Sequence, residues 1–358
     1  MILAELHIHN LRNISSQRMH LNPKINFIEG INGSGKTSFL EALYTLGTGH
    51  SFRSRDISSI IRYGEQSLTV FARSTQNDTI SVQKNLAKPT LVKFNNTYCS
   101  SSSQLAYVLP IQVFYQDIFQ IIDTGPSIRR RLLDWGLFHV KQSYLHLLNQ
   151  YKRVLKQRNA LLKQSSTSYR DFMVWDKQLS ELAEQLHSRR LSFFEKWQAR
   201  FIDVLSCLTN VHCEIRYYKG WDKKEAGTDL QTVLEKNFIS DKQRLYTQYG
   251  AHQAEIYFET NEHTAKQVLS RGQQKMILIA LKLSQADLIN KSCLYLFDDF
   301  SAELDVQHQQ GIIDYLISLD AQVILTSIDS LSSVKGRLNT KCSSFYMESG
   351  KIKSKCFT

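Results

Sequence analysis

The sequence lacks most of what would place it outside a cell or in a membrane. Its six cysteines, Cys99, Cys207, Cys213, Cys293, Cys342 and Cys356, are scattered, with no C-x-x-C pair and no metal-ligand spacing. That pattern fits reduced thiols and argues against a zinc site or a disulfide framework. Met1-Ile-Leu-Ala-Glu-Leu6 is neither basic nor followed by a long apolar stretch, so no secretory signal is expected. No uninterrupted apolar run is long enough to cross a bilayer. The expectation is a soluble cytoplasmic chain with no membrane partner. Acid is also scarce: 33 Asp and Glu stand against 44 Lys and Arg in 358 residues, a net charge of +11. The surplus reads either as a solvated surface or as affinity for an anionic partner. The length allows one large domain or two modest ones.

What is present begins with a phosphate loop. Gly30-Ile31-Asn32-Gly33-Ser34-Gly35-Lys36-Thr37 matches G-x-x-x-x-G-K-[ST] in full. Ile25–Ile28 reads as the strand before it and Ser38–Leu43 as the helix after it, which is the context the motif requires. The glycines let backbone N–H groups and the helix N-terminus face phosphate oxygens. Lys36 can reach the β- and γ-phosphates of ATP, and the Thr37 hydroxyl can hold Mg²⁺. Near the other end, Cys293-Leu-Tyr-Leu-Phe-Asp-Asp-Phe-Ser-Ala-Glu-Leu-Asp305 starts as a buried strand that delivers two carboxylates at its C-terminal end. This reads as a Walker B segment: Asp298 holds the Mg²⁺ through water, and Asp299 takes the general-base position.

Upstream of it, Ser270-Arg271-Gly272-Gln273 precedes the apolar helical run Met276–Leu283. Alone this could be an N-cap and no more. In the order phosphate loop, signature, Walker B, and Ser301–Asp305 in the place of a D-loop, it resembles the ABC ATPase superfamily. The resemblance implies that Ser270 acts in trans, capping the γ-phosphate held by a second copy. Val323–Ser327 is the next strand, followed by Ile328 and Asp329 where many relatives carry a switch histidine. The missing histidine, with Asp299 in place of the usual glutamate, implies slow turnover.

Between the motifs the pattern changes. Gln142–Gln164 is helical in period, with Tyr144, Leu147, Leu148, Tyr151, Leu155 and Leu162 on one face among basic residues; 165–168 is a turn, and Phe172–Phe201 is a second helix. The two can pack as an antiparallel hairpin, and at 1.5 Å per residue it reaches only roughly 45 Å. The basic faces are either solvated or DNA-contacting. The expected architecture is therefore α/β, an ABC-type ATPase head with a P-loop and a mixed sheet, split by an α-helical hairpin arm. Its parts would be 1–138, first half of the head; 139–205, the arm; and 206–358, the second half with signature, Walker B and D-loop.

A head split by a helical insertion is the plan of the structural-maintenance-of-chromosomes class. "LHIHNLRNISS", "GTGHSFRSRDISSIIRYG", "DTGPSIRRRLLDWGLFHV", "LSRGQQK" and "LYLFDDFSAELD" together resemble the RecF family of bacterial recombination and repair proteins over nearly the whole chain. That resemblance implies a nucleoid-associated, weak DNA-stimulated ATPase that dimerises head to head on ATP and binds DNA at gaps or junctions. It also implies RecO and RecR as partners in loading recombinase, with roles in repair and replication-fork maintenance. Two departures stand out. Tyr115-Gln116-Asp117 replaces the usual Pro-Glu-Asp, leaving the Q-loop residue open between Gln112 and Gln116, with Gln116 the candidate catalytic residue. Gly250-Ala-His252-Gln253 replaces Gly-Pro-His and a basic residue.

DNA-binding candidates are Arg12, Arg53, Arg55, Arg129, Arg130 and Arg131, since phosphate contacts need clustered Arg or Lys. For Arg129 and Arg130, pairing with Asp134 and nearby carboxylates at the root of the arm is the rival role. Two other functions stay open: the nucleotide-binding subunit of an ABC membrane transporter, and a structural clamp that binds ATP without useful hydrolysis.

Overall fold

The computed structural model describes residues 1–165, 167–224, 226–260, 263–264, 268–289, 291–328 and 342–354. Its contacts divide the chain into two compact units: Met1–Ile118 with Cys207–Thr209 and Asn290–Thr358, and Phe119–Ser206 with Asn210–Ile289.

The first unit opens with the antiparallel pair β1 (Leu3–Leu11) and β2 (Ile14–His20), then β3 (Ile25–Glu29) and α1 (Lys36–Thr48). Strands β4 (Ser67–Ser74), β5 (Thr79–Asn85), β6 (Leu91–Phe94) and β7 (Thr97–Tyr98) extend the first sheet in the order β2-β1-β4-β5-β6-β7, all antiparallel. One face of it is core, so burial alternates along β4, as a half-solvated antiparallel sheet requires. Helix α2 (Ser102–Val108) and β8 (Ile111–Phe114) close this part of the unit.

The second unit carries α3 (Gln120–Asp123), α4 (Pro126–Val140), α5 (Ser143–Leu162), α6 (Met173–Leu208), β9 (Glu214–Tyr218), α7 (Leu230–Lys236), α8 (Phe238–Arg244), β10 (Glu255–Thr260), β11 (His263–Thr264) and α9 (Arg271–Asp287). The chain then returns to the first unit with β12 (Leu294–Phe297), α10 (Val306–Ser318), β13 (Gln322–Ser327), β14 (Cys342–Glu348) and β15 (Lys351–Ser354).

The second sheet of the first unit has the order β15-β14-β3-β13-β12-β8, parallel except for the edge strand β15. Strands β3, β12 and β13 are buried along their whole length, which explains why apolar residues dominate them, most fully in the Leu-Tyr-Leu-Phe of β12. Leu325 of β13 pairs with Phe27 of β3 on one side and Phe297 of β12 on the other. The strands that lead into the phosphate loop and the acidic pair therefore run parallel on either side of β13, β3 extending two residues beyond β12. Phe39, Leu40, Ala42, Leu43 and Leu46 of α1 lie in one core with side chains from both sheets.

In the second unit α5 and α6 form the expected antiparallel hairpin: Ser143 and Tyr144 bond Arg189 and Arg190, and Arg158 bonds Asp176 farther along. The second helix is longer than its pattern suggested, 36 residues. Its C-terminal part packs into the body, with Trp197 Nε1 donating to Leu281 O (3.0 Å) and Arg200 bonding Asp287 (2.7 Å). The boundary expected at 138/139 falls instead between Ile118 and Phe119, and the signature segment groups with the hairpin. The reason lies in packing: α4 and α9 bury themselves against α6 and each other, as where Gln285 Nε2 donates to Leu132 O (2.8 Å).

Candidate active site

The phosphate loop leaves β3 at Glu29 and enters α1 at Lys36. Two glycines are demanded by the space they occupy. A Cβ on Gly30 would sit 2.4 Å from Met347 O, and Gly35, at φ +115°, is the left-handed N-cap of α1. The loop is braced from outside: Asn13 Nδ2 donates to Ser34 O (3.2 Å), Gly350 N donates to the same oxygen (2.8 Å), and Gly30 N donates to Ser327 O (3.3 Å). Its crest, 31–33, is exposed, while Ser34 and Lys36 are buried.

Lys36 Nζ donates to Gly30 O (2.6 Å) and Ile31 O (3.0 Å), and burial pulls its pKa below the ordinary lysine value. Two neutral carbonyls do not neutralise an ammonium, so the loop holds positive charge that an anion can meet. Ser34 Oγ is buried with no hydrogen-bond partner among the described residues. The N–H groups of the first turn of α1 have no acceptor within the helix. An unbonded hydroxyl, a lysine hydrogen-bonded to carbonyls and a helix N-terminus on one loop fit the phosphates of ATP.

The acidic turn after β12 meets this loop. Thr37 Oγ1 lies 3.0 and 2.9 Å from the two carboxylate oxygens of Asp298, although 261 residues separate them in sequence. Thr326 Oγ1 is 3.0 Å from Asp298 Oδ1. Burial raises the pKa of Asp298, with the hydroxyls of Thr37 and Thr326 opposing the shift. A hard oxygen pair, one of them a carboxylate whose charge is poorly solvated, suits Mg²⁺. Asp299 follows in the left-handed region at φ 50°, its N–H bonded to Thr326 Oγ1 (3.0 Å). Gln116 is exposed, opening the 3₁₀ turn Gln116–Phe119 just past β8, the strand beside β12. Gln112 is buried within β8 opposite Tyr295. Only Gln116 lies at the strand ends where the phosphate loop and the acidic pair emerge.

The signature lies in the second unit. Ser270 is the N-cap of α9 in a capping box: its hydroxyl accepts from Gln273 N (3.3 Å), and Gln273 Oε1 accepts from Ser270 N (2.9 Å). Ser270 and Gln273 are exposed, and Arg271 is held by Asp123 (2.8 Å) above the Phe119 ring. In the D-loop segment Asp305 caps α10 by accepting from His308 N (2.8 Å), and Ser301 Oγ lies 3.0 Å from Ser327 Oγ. Ile328 follows β13; Asp329 lies outside the described residues.

The basic candidates separate. Arg12 grips buried Glu41 with two bonds (2.5 and 2.9 Å) and Ser59 O with a third, and the carboxylate raises its pKa. Arg129 forks onto Glu255 (2.7 and 2.9 Å) and also donates to Ile121 O and Thr124 O. Arg130 donates to Ala254 O (2.8 Å). The rival pairing with Asp134 is corrected in its partner: Asp134 is taken by Arg190 (2.8 Å) and Tyr144. Arg53, Arg55 and Arg131 are exposed.

Sequence reasoning missed three residues. Asn13 and Thr326 gave no signal beyond a turn asparagine and a hydroxyl ending an apolar strand. Glu41, fully buried on α1, was legible as a lone carboxylate on an apolar helix.

Comparison with known proteins agrees with this geometry. Residues 2–353 match the family model described as the RecF/RecN/SMC N terminal domain. A DNA replication and repair protein RecF from Cellvibrio japonicus (strain Ueda107) is 35% identical over 368 residues, 98% of this chain and 99% of the relative. The RecF of Acinetobacter baumannii (strain ATCC 17978 / DSM 105126 / CIP 53.77 / LMG 1025 / NCDC KC755 / 5377) is 39% identical over 360 residues, with 98% and 99% covered. A solved structure of the recombination mediator protein RecF-ATP in the RecFOR pathway superposes with TM-score 0.84 at 24% identity, covering 99% of this chain and 98% of that one. An Smc head bound to the C-winged helix domain of ScpA superposes at 0.62 with 15% identity, covering 100% and 98%. These matches do not favour the transporter reading. An ABC-type head carrying a phosphate loop against a Walker B carboxylate, with close relatives along its whole length, makes this chain a member of the RecF family.

Proposed function

We propose that the chain is an ATP-driven, DNA-binding switch of recombinational repair and replication-fork maintenance. One observation carries the nucleotide part: the Thr37 hydroxyl and the Asp298 carboxylate meet at 2.9 Å beside a loop whose buried lysine donates to two main-chain carbonyls. The family supports the rest. Lys36 and the loop N–H groups hold the β- and γ-phosphates, and Thr37 and Asp298 hold Mg²⁺, which would neutralise charge developing on the phosphoryl oxygens. Gln116 orients the attacking water and Asp299 accepts its proton as the γ-phosphorus–oxygen bond to ADP breaks.

One head leaves the γ-phosphate half open. Ser270 and Gly272 of a second copy close it, so the dimer is symmetric and ATP-dependent. The exposed Arg53, Arg55 and Arg131 serve phosphate contacts at gapped or junction DNA, hydrolysis is slow and DNA-stimulated, and RecR and RecO are partners in recombinase loading. A soluble, nucleoid-associated location follows from that role.

Sedimentation with ATP, ADP and no nucleotide tests the composite site. The wild type should dimerise with ATP alone. Ser270→Arg should still bind ATP yet remain monomeric and inactive; a Ser270→Arg protein that dimerises on ATP overturns the trans mechanism. Hydrolysis of ATP with and without gapped DNA tests the switch, and equal rates would remove the DNA-stimulated part of the reading.

A further inference from the structure

Three consecutive residues of the acidic turn hang on Thr326. Its hydroxyl lies 3.0 Å from Asp298 Oδ1 and accepts the Asp299 N–H at 3.0 Å, while its carbonyl accepts the Phe300 N–H at 2.8 Å. The hydroxyl also lies 3.3 Å from Phe297 O, but the closer and charged Asp298 carboxylate is the better acceptor for its one proton, and its lone pairs can accept from Asp299 at the same time. Thr326 is fully buried on β13, between the strand that enters the phosphate loop and the strand that ends in the acidic pair. Asp299 adopts a left-handed backbone, φ 50°, that a non-glycine residue holds only when its surroundings fix it. Thr37, on α1, reaches both oxygens of Asp298, and Thr326, on β13, reaches Oδ1, so two separate elements restrain the carboxylate.

We propose that Thr326 is a positioning residue for both carboxylates. It fixes the rotation of Asp298 toward Mg²⁺ and, by holding the Asp299 N–H, sets where the Asp299 carboxylate points. The inference rests on the nucleotide-site reading and adds to it a residue that no motif names. Removing the hydroxyl frees Asp298 to turn and relaxes the strained turn, while the phosphate loop keeps its own hold on ATP.

The test compares Thr326→Val, close to isosteric but without the hydroxyl, with Thr326→Ser, which keeps it. ATP affinity is measured by calorimetry in EDTA and in Mg²⁺, and turnover is measured separately. In EDTA both variants should bind ATP as the wild type does. In Mg²⁺, Thr326→Val should lose most of the affinity that the metal adds and need about tenfold more Mg²⁺ for half-maximal binding. Its kcat should fall about 10- to 100-fold, with Thr326→Ser within about threefold of wild type on both readouts. Wild-type Mg²⁺ dependence and turnover in Thr326→Val overturn the inference, as does equal impairment of both variants, which would assign the effect to packing. Thr326→Ala repeats the comparison if the valine variant does not fold. A wild-type protein that gains no affinity from Mg²⁺ would overturn the underlying nucleotide reading instead, so the two failures are distinguishable.

Discussion

Buried cations serve opposite ends in the two units. In the second unit Arg158 is fully buried and bonds Asp176, Asp241 and Thr247, while Arg190 bonds Asp134, the Tyr144 hydroxyl and Ala251 O. These guanidinium groups are matched by carboxylates and staple α5, α6 and the 241–255 segment together. In the first unit Lys36 is also buried but hydrogen-bonds two carbonyls, beside a serine hydroxyl with no partner among the described residues. A cation hydrogen-bonded to carboxylates stabilises a scaffold, even though Arg158 Nη2 has no hydrogen-bond partner among the described residues, whereas one hydrogen-bonded to carbonyls can still take an anionic ligand. Charge in a sequence does not tell the two apart; the presence of anionic partners does.

Removing each kind of cation should sharpen that contrast. Lys36→Ala should weaken ATP binding about 100-fold or more with little change in stability, because in the free protein the ammonium hydrogen-bonds carbonyls and feels Asp298 and Asp299 without bonding them, whereas bound phosphate would pair with it directly. Calorimetric affinity near wild type in a folded variant would break the comparison. Arg158→Met should do the reverse: leaving Asp176 and Asp241 unmatched costs about 3–5 kcal/mol of stability, read by denaturant unfolding, while nucleotide affinity of the folded protein stays unchanged.

His252 gives a smaller, pH-dependent effect in the same network. Its ring lies between the Tyr151 hydroxyl (2.7 Å) and Thr247 O (2.9 Å), and burial pushes its pKa down from 6.5 to about 4. The folded state keeps the ring neutral, so the unfolded chain binds the proton first. This contribution to stability is complete above pH 6.5 and declines as pH falls toward 4, by about 3 kcal/mol at most. His252→Gln should remove that part of the acid dependence; an unaltered pH profile of unfolding would show that the histidine does not carry it.

The smallest effects belong to the exposed arginines. Arg131→Ala should leave stability unchanged and lower the salt dependence of DNA binding by about 0.9 for each phosphate that the side chain no longer neutralises. Arg129→Ala, in the same run of three, should instead destabilise through Glu255. A flatter salt slope at unchanged stability in Arg129→Ala would reverse these assignments.

Much of the site was legible because its residues are tied to local patterns. A strand, a glycine loop and a helix must be adjacent in sequence to make a phosphate cradle, and an apolar run ending in two aspartates needs only a parallel sheet to point them at the ligand. Gln116 over Gln112 was not legible, because both stand in one short segment and only the end of β8 separates a buried side chain from an exposed one. The ion pairs of Arg12 and Arg129 were not legible for a related reason. Their partners, Glu41 and Glu255, lie 29 and 126 residues away, and no periodicity links them.

By itself, the sequence determined the nucleotide chemistry, the parallel core strands and the antiparallel hairpin, since each follows from spacing within a few turns of chain. Only the tertiary structure decided that helix α4 and the signature segment group with the hairpin, that Arg129 and Arg130 bond Glu255 and Ala254 O, and that Thr326 bonds the acidic turn. Those outcomes depend on which distant strands and helices become neighbours, and a hydrogen bond or ion pair forms only where folding has brought donor and acceptor within about 3 Å.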